Sequence, residues 1–136
     1  MSEFHLTVVT PDGLKSDGNA TSLLVKTESG DVEILSKHTD YFASLAIGRA
    51  RILANGERKL ASSAGGFLSV KGNEVKLVAT TFEFADEIDL RRALEAKEKA
   101  ETTISSSNDD KMIMLAKAKL QRAINRINVS ELLNTR

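Results

Sequence analysis

The hydrophobic period of the chain changes once, at residues 85–93, and this change constrains the fold more than any other sequence feature. Before this segment apolar residues mostly alternate with polar ones, whereas after it they recur every three to four positions. The first pattern is typical of β-strands and the second of amphipathic helices. A β region followed by a helical region indicates an α+β protein, because an interleaved fold would switch period repeatedly. We predict two domains, residues 1–84 and residues 85–136.

Short alternating segments separated by turn residues fill the first half of the chain. The alternation at residues 4–8 predicts a first strand, which the turn residues Pro11-Asp12-Gly13 close. The next strand is predicted at Leu23-Leu24-Val25-Lys26. Asn55-Gly56 predicts a type I′ hairpin because both residues tolerate positive φ, and Gly72-Asn73 marks another hairpin. Many short strands with frequent turns indicate a β-sandwich or a flattened barrel.

The helical half divides into two segments at Ser105-Ser106-Ser107-Asn108. Asn108 or Asp109 is expected to cap the second segment. So short a link permits only antiparallel neighbours, which predicts a helical hairpin. Two apolar stripes are expected to form the contact between the helices: Ala93, Ala96 and Ala100 in the first, and Ile113, Ala116, Leu120, Ala123 and Ile127 in the second. Because alanine buries little apolar area, we expect a hairpin that can open.

Composition narrows the classes of function. The 19 basic and 19 acidic residues give zero net charge, and neither half is strongly basic, so we expect no nucleic-acid partner. The absence of cysteine excludes a disulfide framework, and the two histidines, His5 and His38, make a metal site a poor prospect. No apolar run reaches the roughly 18 residues of a membrane span, and no signal-peptide pattern opens the chain. We expect the protein to stay on the side of the membrane where it is made.

Two charged groups carry alternative interpretations. The residues between Asp86 and Arg92 are typical of a helix start, with acidic groups at the positive end of the helix dipole and ion pairs one turn apart. Arg122 and Arg126 lie one turn apart and are typical of a solvated basic stripe. In an antiparallel hairpin, however, Arg92 would lie level with Arg122 and Arg126, and three guanidinium groups can grip phosphate oxygens. Both interpretations stay open on residue chemistry alone.

Five segments, spread over nearly the whole chain, form a pattern of their own: Val8-Val9-Thr10-Pro11-Asp12-Gly13, Gly30-Asp31-Val32-Glu33-Ile34-Leu35, Gly65-Gly66-Phe67-Leu68-Ser69-Val70, residues 85–93 and residues 118–129. In this order and register they resemble the epsilon subunit family of the bacterial rotary ATP synthase. The resemblance implies a ten-stranded β-sandwich followed by the helical hairpin, mounted on the gamma subunit and touching the c-ring, with Asp31 and His38 as c-ring contacts. The chain departs from the family at Ser36-Lys37, where Pro-Gly is common, and at Thr39-Asp40, where Ala-Pro is common.

Some members of that family bind ATP on the folded hairpin through the pattern Ile/Leu-Asp-x-x-Arg-Ala, which residues 88–93 match. The resemblance gives Asp89 the adenine side of the ligand and Arg92 a phosphate. Lys99 stands where ATP-binding relatives often carry arginine, which replaces a planar fork of donors with a point charge. The complete set implied by the resemblance is Glu83, Ile88, Asp89, Arg92, Ala93, Lys99, Arg122 and Arg126.

The resemblance implies a non-catalytic regulatory subunit of the rotor, peripheral to the cytoplasmic face of a bacterial plasma membrane. Its sandwich would couple c-ring rotation to the catalytic head, and its hairpin would extend along gamma towards the alpha and beta subunits to restrain ATP hydrolysis. ATP would be a regulatory ligand that favours the folded hairpin, and no cofactor is required. One alternative is a free-standing interaction module with an unrelated partner. A small enzyme that uses Asp89 and Glu83 is less favoured, because no nucleophile accompanies them.

Overall fold

The structure is a computed structural model that describes residues 2–134, and the side chains of residues 2–132. It contains two compact units, Met1–Phe84 and Ala85–Arg136. The first unit consists of strands and the second of helices: β1 (Phe4–Thr10), β2 (Gly13–Ala20), β3 (Ser22–Thr27), β4 (Gly30–Leu35), β5 (Tyr41–Ser44), β6 (Gly48–Ala54), β7 (Glu57–Ala64), β8 (Phe67–Lys71), β9 (Glu74–Val78), β10 (Thr81–Phe84), a 3₁₀ turn (Ala85–Glu87), α1 (Leu90–Ser106) and α2 (Asp110–Asn134).

The ten strands form two five-stranded sheets. The first sheet has the order β2-β1-β9-β8-β5 and the second has the order β10-β7-β6-β3-β4. Neighbouring strands are antiparallel except for β1 and β9, which are parallel. The predicted α+β fold, a ten-stranded β-sandwich followed by two helices, is confirmed.

Alternating burial shows how the strands build the core of the sandwich. On β1 the side chains of Phe4, Leu6 and Val8 are buried, whereas those of His5 and Thr7 face outwards and are only partly covered. One apolar cluster contains inward side chains from both sheets. Burial of this kind removes apolar area from water at about 25 cal/mol per Å², which is the main term that stabilises the sandwich.

Positive backbone φ angles lie where the turns require them. The β6–β7 hairpin has φ angles of 54° at Asn55 and 76° at Gly56, so the predicted type I′ turn is confirmed. At Gly66, which has a φ of 89°, an added Cβ atom would lie 1.8 Å from the carbonyl oxygen of Val78. Any side chain at this position would therefore force β8 and β9 apart.

Helices α1 and α2 pack against each other and form the predicted hairpin. Ala116, Ala123 and Ile127 of α2 are buried, as expected from their spacing. In α1, Ala93 and Ala100 are buried, but the prediction for Ala96 is wrong because its side chain is exposed. The partly buried side chain between the two alanines belongs to Lys97 instead, since steps of four and three residues keep Ala93, Lys97 and Ala100 on one face.

Side-chain oxygens determine where the hairpin bends. Hydroxyl groups close the end of α1 by donating to backbone carbonyls of the preceding turn, as in the bond of 2.7 Å from Ser106 to Thr102. Residues 107–109 then form the link, so α1 includes two of the serines that were assigned to the break. Of the two expected caps, Asp109 begins α2, because its carboxylate accepts a hydrogen bond of 2.9 Å from the amide of Lys111.

Candidate functional site

Asp89 is the N-cap of α1. Its backbone is extended, with φ −83° and ψ 98°, and its carboxylate accepts a hydrogen bond of 3.1 Å from the amide of Arg92. This bond satisfies one of the four amides that have no partner at a helix start. The interpretation of Asp89 as part of a helix start is therefore confirmed. A carboxylate has several acceptor positions, so the cap leaves capacity for a second donor.

The apolar members of the predicted site are Ile88 and Ala93. Ile88 is partly buried, and its amide bonds to the carbonyl of Ala85 in the preceding 3₁₀ turn. Ala93 is fully buried on the contact face between the helices. A buried methyl group cannot contact a large ligand, so the value of alanine at position 93 is that it lets the two helices approach closely.

The cations of the predicted site fall into two axial levels of the hairpin. Arg92 lies 14 residues before the end of α1, and the position 14 residues into α2 lies between Arg122 and Arg126. At a rise of about 1.5 Å per residue, all three arginines lie about 20 Å from the link. Lys99 lies seven residues closer to the link, which is about 10 Å along the axis. The three arginines therefore share one axial level of the hairpin, and Lys99 lies at another.

Exposure differs among these cations. Arg92 and Lys99 are exposed, whereas Arg122 and Arg126 are partly buried. Three guanidinium groups at one level present planar donor forks that suit the oxygens of a polyphosphate. Glu83, the remaining member of the predicted set, lies on β10 opposite Ser62 of β7, in the sandwich unit.

The two residues predicted to contact the c-ring lie at opposite ends of β4. Asp31 is the second residue of the strand and pairs with Lys26. His38 lies beyond the last residue of the strand, Leu35, and its backbone amide donates a hydrogen bond to the carbonyl of Leu35. The four residue steps from Asp31 to Leu35 span about 13 Å of extended chain. The His38 ring contacts Tyr41 edge to face, with ring centroids 5.8 Å apart. The structure therefore does not bring Asp31 and His38 together.

A row of apolar side chains, exposed at its two ends and partly buried between them, crosses the outer face of the first sheet, and sequence reasoning missed it. The strand registers align Leu14 of β2 with Val9 of β1, Val9 with Val78 of β9, and Val78 with Phe67 of β8. Phe42 of β5 completes the row by stacking on Phe67 at 5.2 Å between ring centroids. We call these five residues the apolar row. Four strand spacings make it about 19 Å long.

Exposure confirms that the apolar row faces outwards. Leu14 is 62% exposed and Phe42 is 68% exposed, at the two ends of the row. The sequence neighbours Val8, Leu77 and Leu68 are completely buried on the opposite face of the same strands. The row could not be derived from spacing within any one strand, because it exists only through the register between five strands.

Among residues 2–132, no cluster of three or more histidine, cysteine, aspartate or glutamate side chains could hold a metal ion. In the described part of the chain, neither helix combines the length and the apolar character needed to cross a membrane.

Two domain families match consecutive parts of the chain. The family described as ATP synthase, Delta/Epsilon chain, beta-sandwich domain matches residues 3–85. The family described as ATP synthase, Delta/Epsilon chain, long alpha-helix domain matches residues 86–131.

Similar proteins align over nearly their whole length. A protein of Bacillus velezensis named ATP synthase epsilon chain is 40% identical over 130 residues, which cover 96% of this chain and 98% of the relative. A protein of Pediococcus pentosaceus with the same name is 38% identical over 134 residues, which cover 96% of each chain.

Solved structures share the fold at lower identity. A chain in the Euglena gracilis mitochondrial ATP synthase, in a structure of OSCP, F1 and the c-ring, superposes with a TM-score of 0.81 at 20% identity, covering 92% of this chain and 79% of that chain. A chain in the central stalk and c-ring of the Tetrahymena thermophila mitochondrial ATP synthase has a TM-score of 0.57 at 13% identity, covering 98% of both chains.

Proposed function

Because the chain belongs to the ATP synthase delta/epsilon chain family, we propose that it is a non-catalytic, regulatory subunit of a bacterial ATP synthase. Membership makes it a central-stalk component of an F-type ATP synthase, which acts in ATP synthesis and proton transport. The proposal adds a division of labour between the two units. The sandwich couples rotation to the catalytic head, and the hairpin restrains ATP hydrolysis.

The apolar row is the observation that best supports a coupling role for the sandwich. Phe42 and Leu14 are each more than half exposed. Exposed apolar side chains of this kind form surfaces that a partner protein can remove from water. The row takes one side chain from each of the five strands, which suits one elongated apolar ridge. Its occupant in this proposal is a gamma-type subunit, the central-stalk partner that the family assignment requires.

Substitution of the exposed ends of the row tests this docking surface. Phe42→Ser and Leu14→Ser each remove a side chain that contributes little to the core of the isolated subunit. We expect each to weaken binding of a gamma-type subunit by about tenfold or more, because burial of a large apolar side chain is worth about 1.5–3 kcal/mol. Leu35→Ser is the matched control, since Leu35 is 52% exposed on β4 of the second sheet.

Three outcomes of this binding experiment are informative. A loss of affinity confined to Phe42→Ser and Leu14→Ser supports the apolar row as the stalk surface. Equal losses in all three variants, or none in Phe42→Ser, would refute it. If the isolated wild-type subunit dimerises and Phe42→Ser abolishes the dimer without affecting gamma binding, a second copy of the chain is the true occupant.

Contact with the c-ring is also part of the proposal, and the geometry of β4 sharpens it. Asp31 and His38 lie at opposite ends of the extended strand β4. A c-ring surface that contacts one end of β4 can therefore contact only one of these two residues there. Charge reversal at Asp31 and neutralisation of His38 therefore distinguish the two ends. One of the two substitutions should weaken association of the assembled head with its c-ring, and two silent substitutions would remove both residues from the proposed contact.

The hairpin supports the regulatory half of the proposal. Its contact relies on alanine residues such as Ala93 and Ala116, which bury little area, so an opened hairpin lies close in free energy to the folded one. An opened hairpin would extend along gamma towards the alpha and beta subunits. A ligand that contacts α1 and α2 together favours the folded state, because only that state assembles its contacts.

We propose ATP as that regulatory ligand, on the cytoplasmic face of the bacterial membrane where the subunit is peripherally attached. Asp89 would contact the base side, and Arg92, Arg122 and Arg126 would contact the phosphates. Ile88, Glu83 and Lys99 complete the proposed set through the family resemblance, and the buried Ala93 contributes by letting the two helices approach closely. The single most decisive experiment is calorimetric titration of the isolated subunit with ATP, in which absence of binding at millimolar concentration would remove the ligand from the proposal.

A further inference from the structure

His5 joins three strands of the first sheet through its side chain. Its ring lies on the outer face of β1, with Asp17 of β2 on one side and Glu74 of β9 on the other. The Nδ1 atom lies 2.8 Å from the carboxylate of Glu74, and the Nε2 atom lies 2.5 Å from the carboxylate of Asp17. None of these three residues belongs to the proposed nucleotide site.

The protonation state of His5 decides whether both bonds can form. An ionised carboxylate only accepts hydrogen bonds, and a neutral imidazole has a single N–H group. A neutral His5 can therefore donate to Glu74 or to Asp17, whereas the imidazolium form donates to both. The hydrogen bond to Glu74 and then that to Asp17 raise the pKa of His5 above its ordinary value of 6.5.

Strand β2 needs such a tether because its own side chains anchor it weakly. It lies at the edge of the first sheet, and Ala20 at its end is the one buried side chain of its eight residues. Its register with β1 is interrupted by a bulge at Val8 and Val9. Beyond this bulge β2 carries Leu14, which forms one end of the apolar row.

We propose that His5 is a pH-dependent latch that holds edge strand β2 against the first sheet and so regulates the apolar row as a docking surface. The regulatory part rests on the proposed function, whereas the latch itself does not. The latch is closed below pH 6.5, where His5 is protonated in folded and unfolded chains alike. It opens as the pH rises through the raised pKa of folded His5, because one of the two carboxylates then loses its donor.

Other charged groups lie on the strands around the latch. Lys15 of β2, Lys76 of β9 and Lys71 of β8 are cationic, and Glu3 adds a carboxylate just before β1. Lys71 pairs in register with Glu74, and the amide of Asn19 bonds to Glu3. Of the charged groups on these strands, His5 is the one whose ring nitrogens lie against the carboxylates of both Asp17 and Glu74.

Amide hydrogen exchange on the isolated full-length chain tests the latch without any partner. Protection factors of the β2 amides, corrected for intrinsic exchange, are compared at about pH 6 and about pH 8.5, on either side of the histidine range. We expect a fall of about twofold to fivefold at the higher pH, the range for an exposed ion pair. Strand β10, an edge strand of the second sheet, serves as the internal control and should not change.

Substitutions assign the pH response to its residues. His5→Gln and Asp17→Asn should each abolish the pH dependence of β2 protection, and an NMR titration of the His5 ring should show a lower pKa in Asp17→Asn. Glu74→Gln cuts only the tether to β9, so β2 should remain protected at low pH. Unchanged β2 protection in the wild type, or a pH response that persists in His5→Gln, would overturn the latch.

A second measurement separates the latch from the proposed function. Affinity for a gamma-type subunit is measured at the same two pH values for the wild type and His5→Gln. A pH-dependent affinity that disappears in His5→Gln supports regulation of the apolar row by the latch. Binding that ignores pH, despite a confirmed exchange response, refutes that regulation. If the wild type binds no gamma-type subunit at either pH, the proposed function is contradicted. The hydrogen-exchange experiment alone then shows whether His5 holds β2 in a pH-dependent way.

Discussion

The backbone amide of Arg92 donates a hydrogen bond of 3.1 Å to the carboxylate of Asp89, and this bond begins helix α1. The same two residues are those proposed to meet the two ends of a bound nucleotide. Replacement of Asp89 by alanine therefore removes a helix cap and a proposed ligand contact at once. A useful experiment has to change one without the other.

Asp89→Ser and Asp89→Ala separate these two roles. Serine is a good N-cap, whereas loss of the cap in Asp89→Ala should lower hairpin stability by about 1 kcal/mol. The shorter serine side chain cannot reach a ligand as aspartate does, so both variants should lose about tenfold in ATP affinity. Thermal unfolding followed by circular dichroism reports the cap, and calorimetry reports the ligand. If Asp89→Ser binds ATP as tightly as the wild type, Asp89 is only a cap.

Arg126→Ala should weaken ATP binding more than Lys99→Ala. Arg126 lies at the level of Arg92 and Arg122, whereas Lys99 lies about 10 Å nearer the link. A hydrogen bond to a charged group is worth roughly 1.5–3 kcal/mol, so loss of the Arg126 fork should cost about tenfold or more in affinity. Lys99 offers a flexible point charge, and its loss should cost less. Calorimetry that found Arg126→Ala silent, with wild-type binding intact, would mean that the phosphate grip is misplaced.

Local chemistry made several elements predictable from the sequence. The Asn55-Gly56 turn, the alternation of β1 and the buried stripe of α2 each depend on residues close together in the chain. Strand β2 was missed because four of its eight residues are polar and two are glycines, so that it has no alternating pattern. Pairing with β1 makes it a strand, so a tertiary contact overrides weak local propensity.

Relationships between elements were harder to predict. Ala96 and Lys97 are neighbours, and the preference for an apolar residue on the contact face favoured the wrong one. The apolar row and the His5 latch depend on strand register, which sequence spacing does not contain. The three arginines could be placed on one level because a short link leaves a hairpin a single arrangement.

Lys97→Met should stabilise the folded hairpin. Lys97 is partly buried and lies on the same helix face as the buried residues Ala93 and Ala100, where a lysine must still keep its ammonium group in water. Methionine keeps the stem and removes the charge, which should add about 0.5–1 kcal/mol. Lys117→Met, at an exposed position of α2, is the matched control and should have little effect. Hydrogen exchange of the α1 amides measures the difference, and equal responses of the two variants would exclude Lys97 from the contact.

Truncation after Phe84 should leave a folded β protein that still binds a gamma-type subunit. The core of the sandwich contains inward side chains from both sheets, and the members of its buried cluster lie within residues 4–82. Circular dichroism and a binding assay with the gamma-type partner check the two parts of this prediction. An unfolded truncated chain would contradict the division into two independent domains.

Removal of residues 86–136 from the assembled ATP synthase should raise ATP hydrolysis without abolishing ATP synthesis. On the proposed division of labour, the sandwich retains coupling while the restraining hairpin is lost.

Lys97→Met provides a second, independent perturbation of the assembled enzyme. A more stable folded hairpin spends less time extended, so this substitution should also raise ATP hydrolysis. Lys117→Met is again the control. The proposal predicts that both changes relieve inhibition, one by removing the arm and the other by keeping it folded. Unchanged hydrolysis after the deletion would show that the hairpin does not restrain the enzyme, whatever ligand it binds.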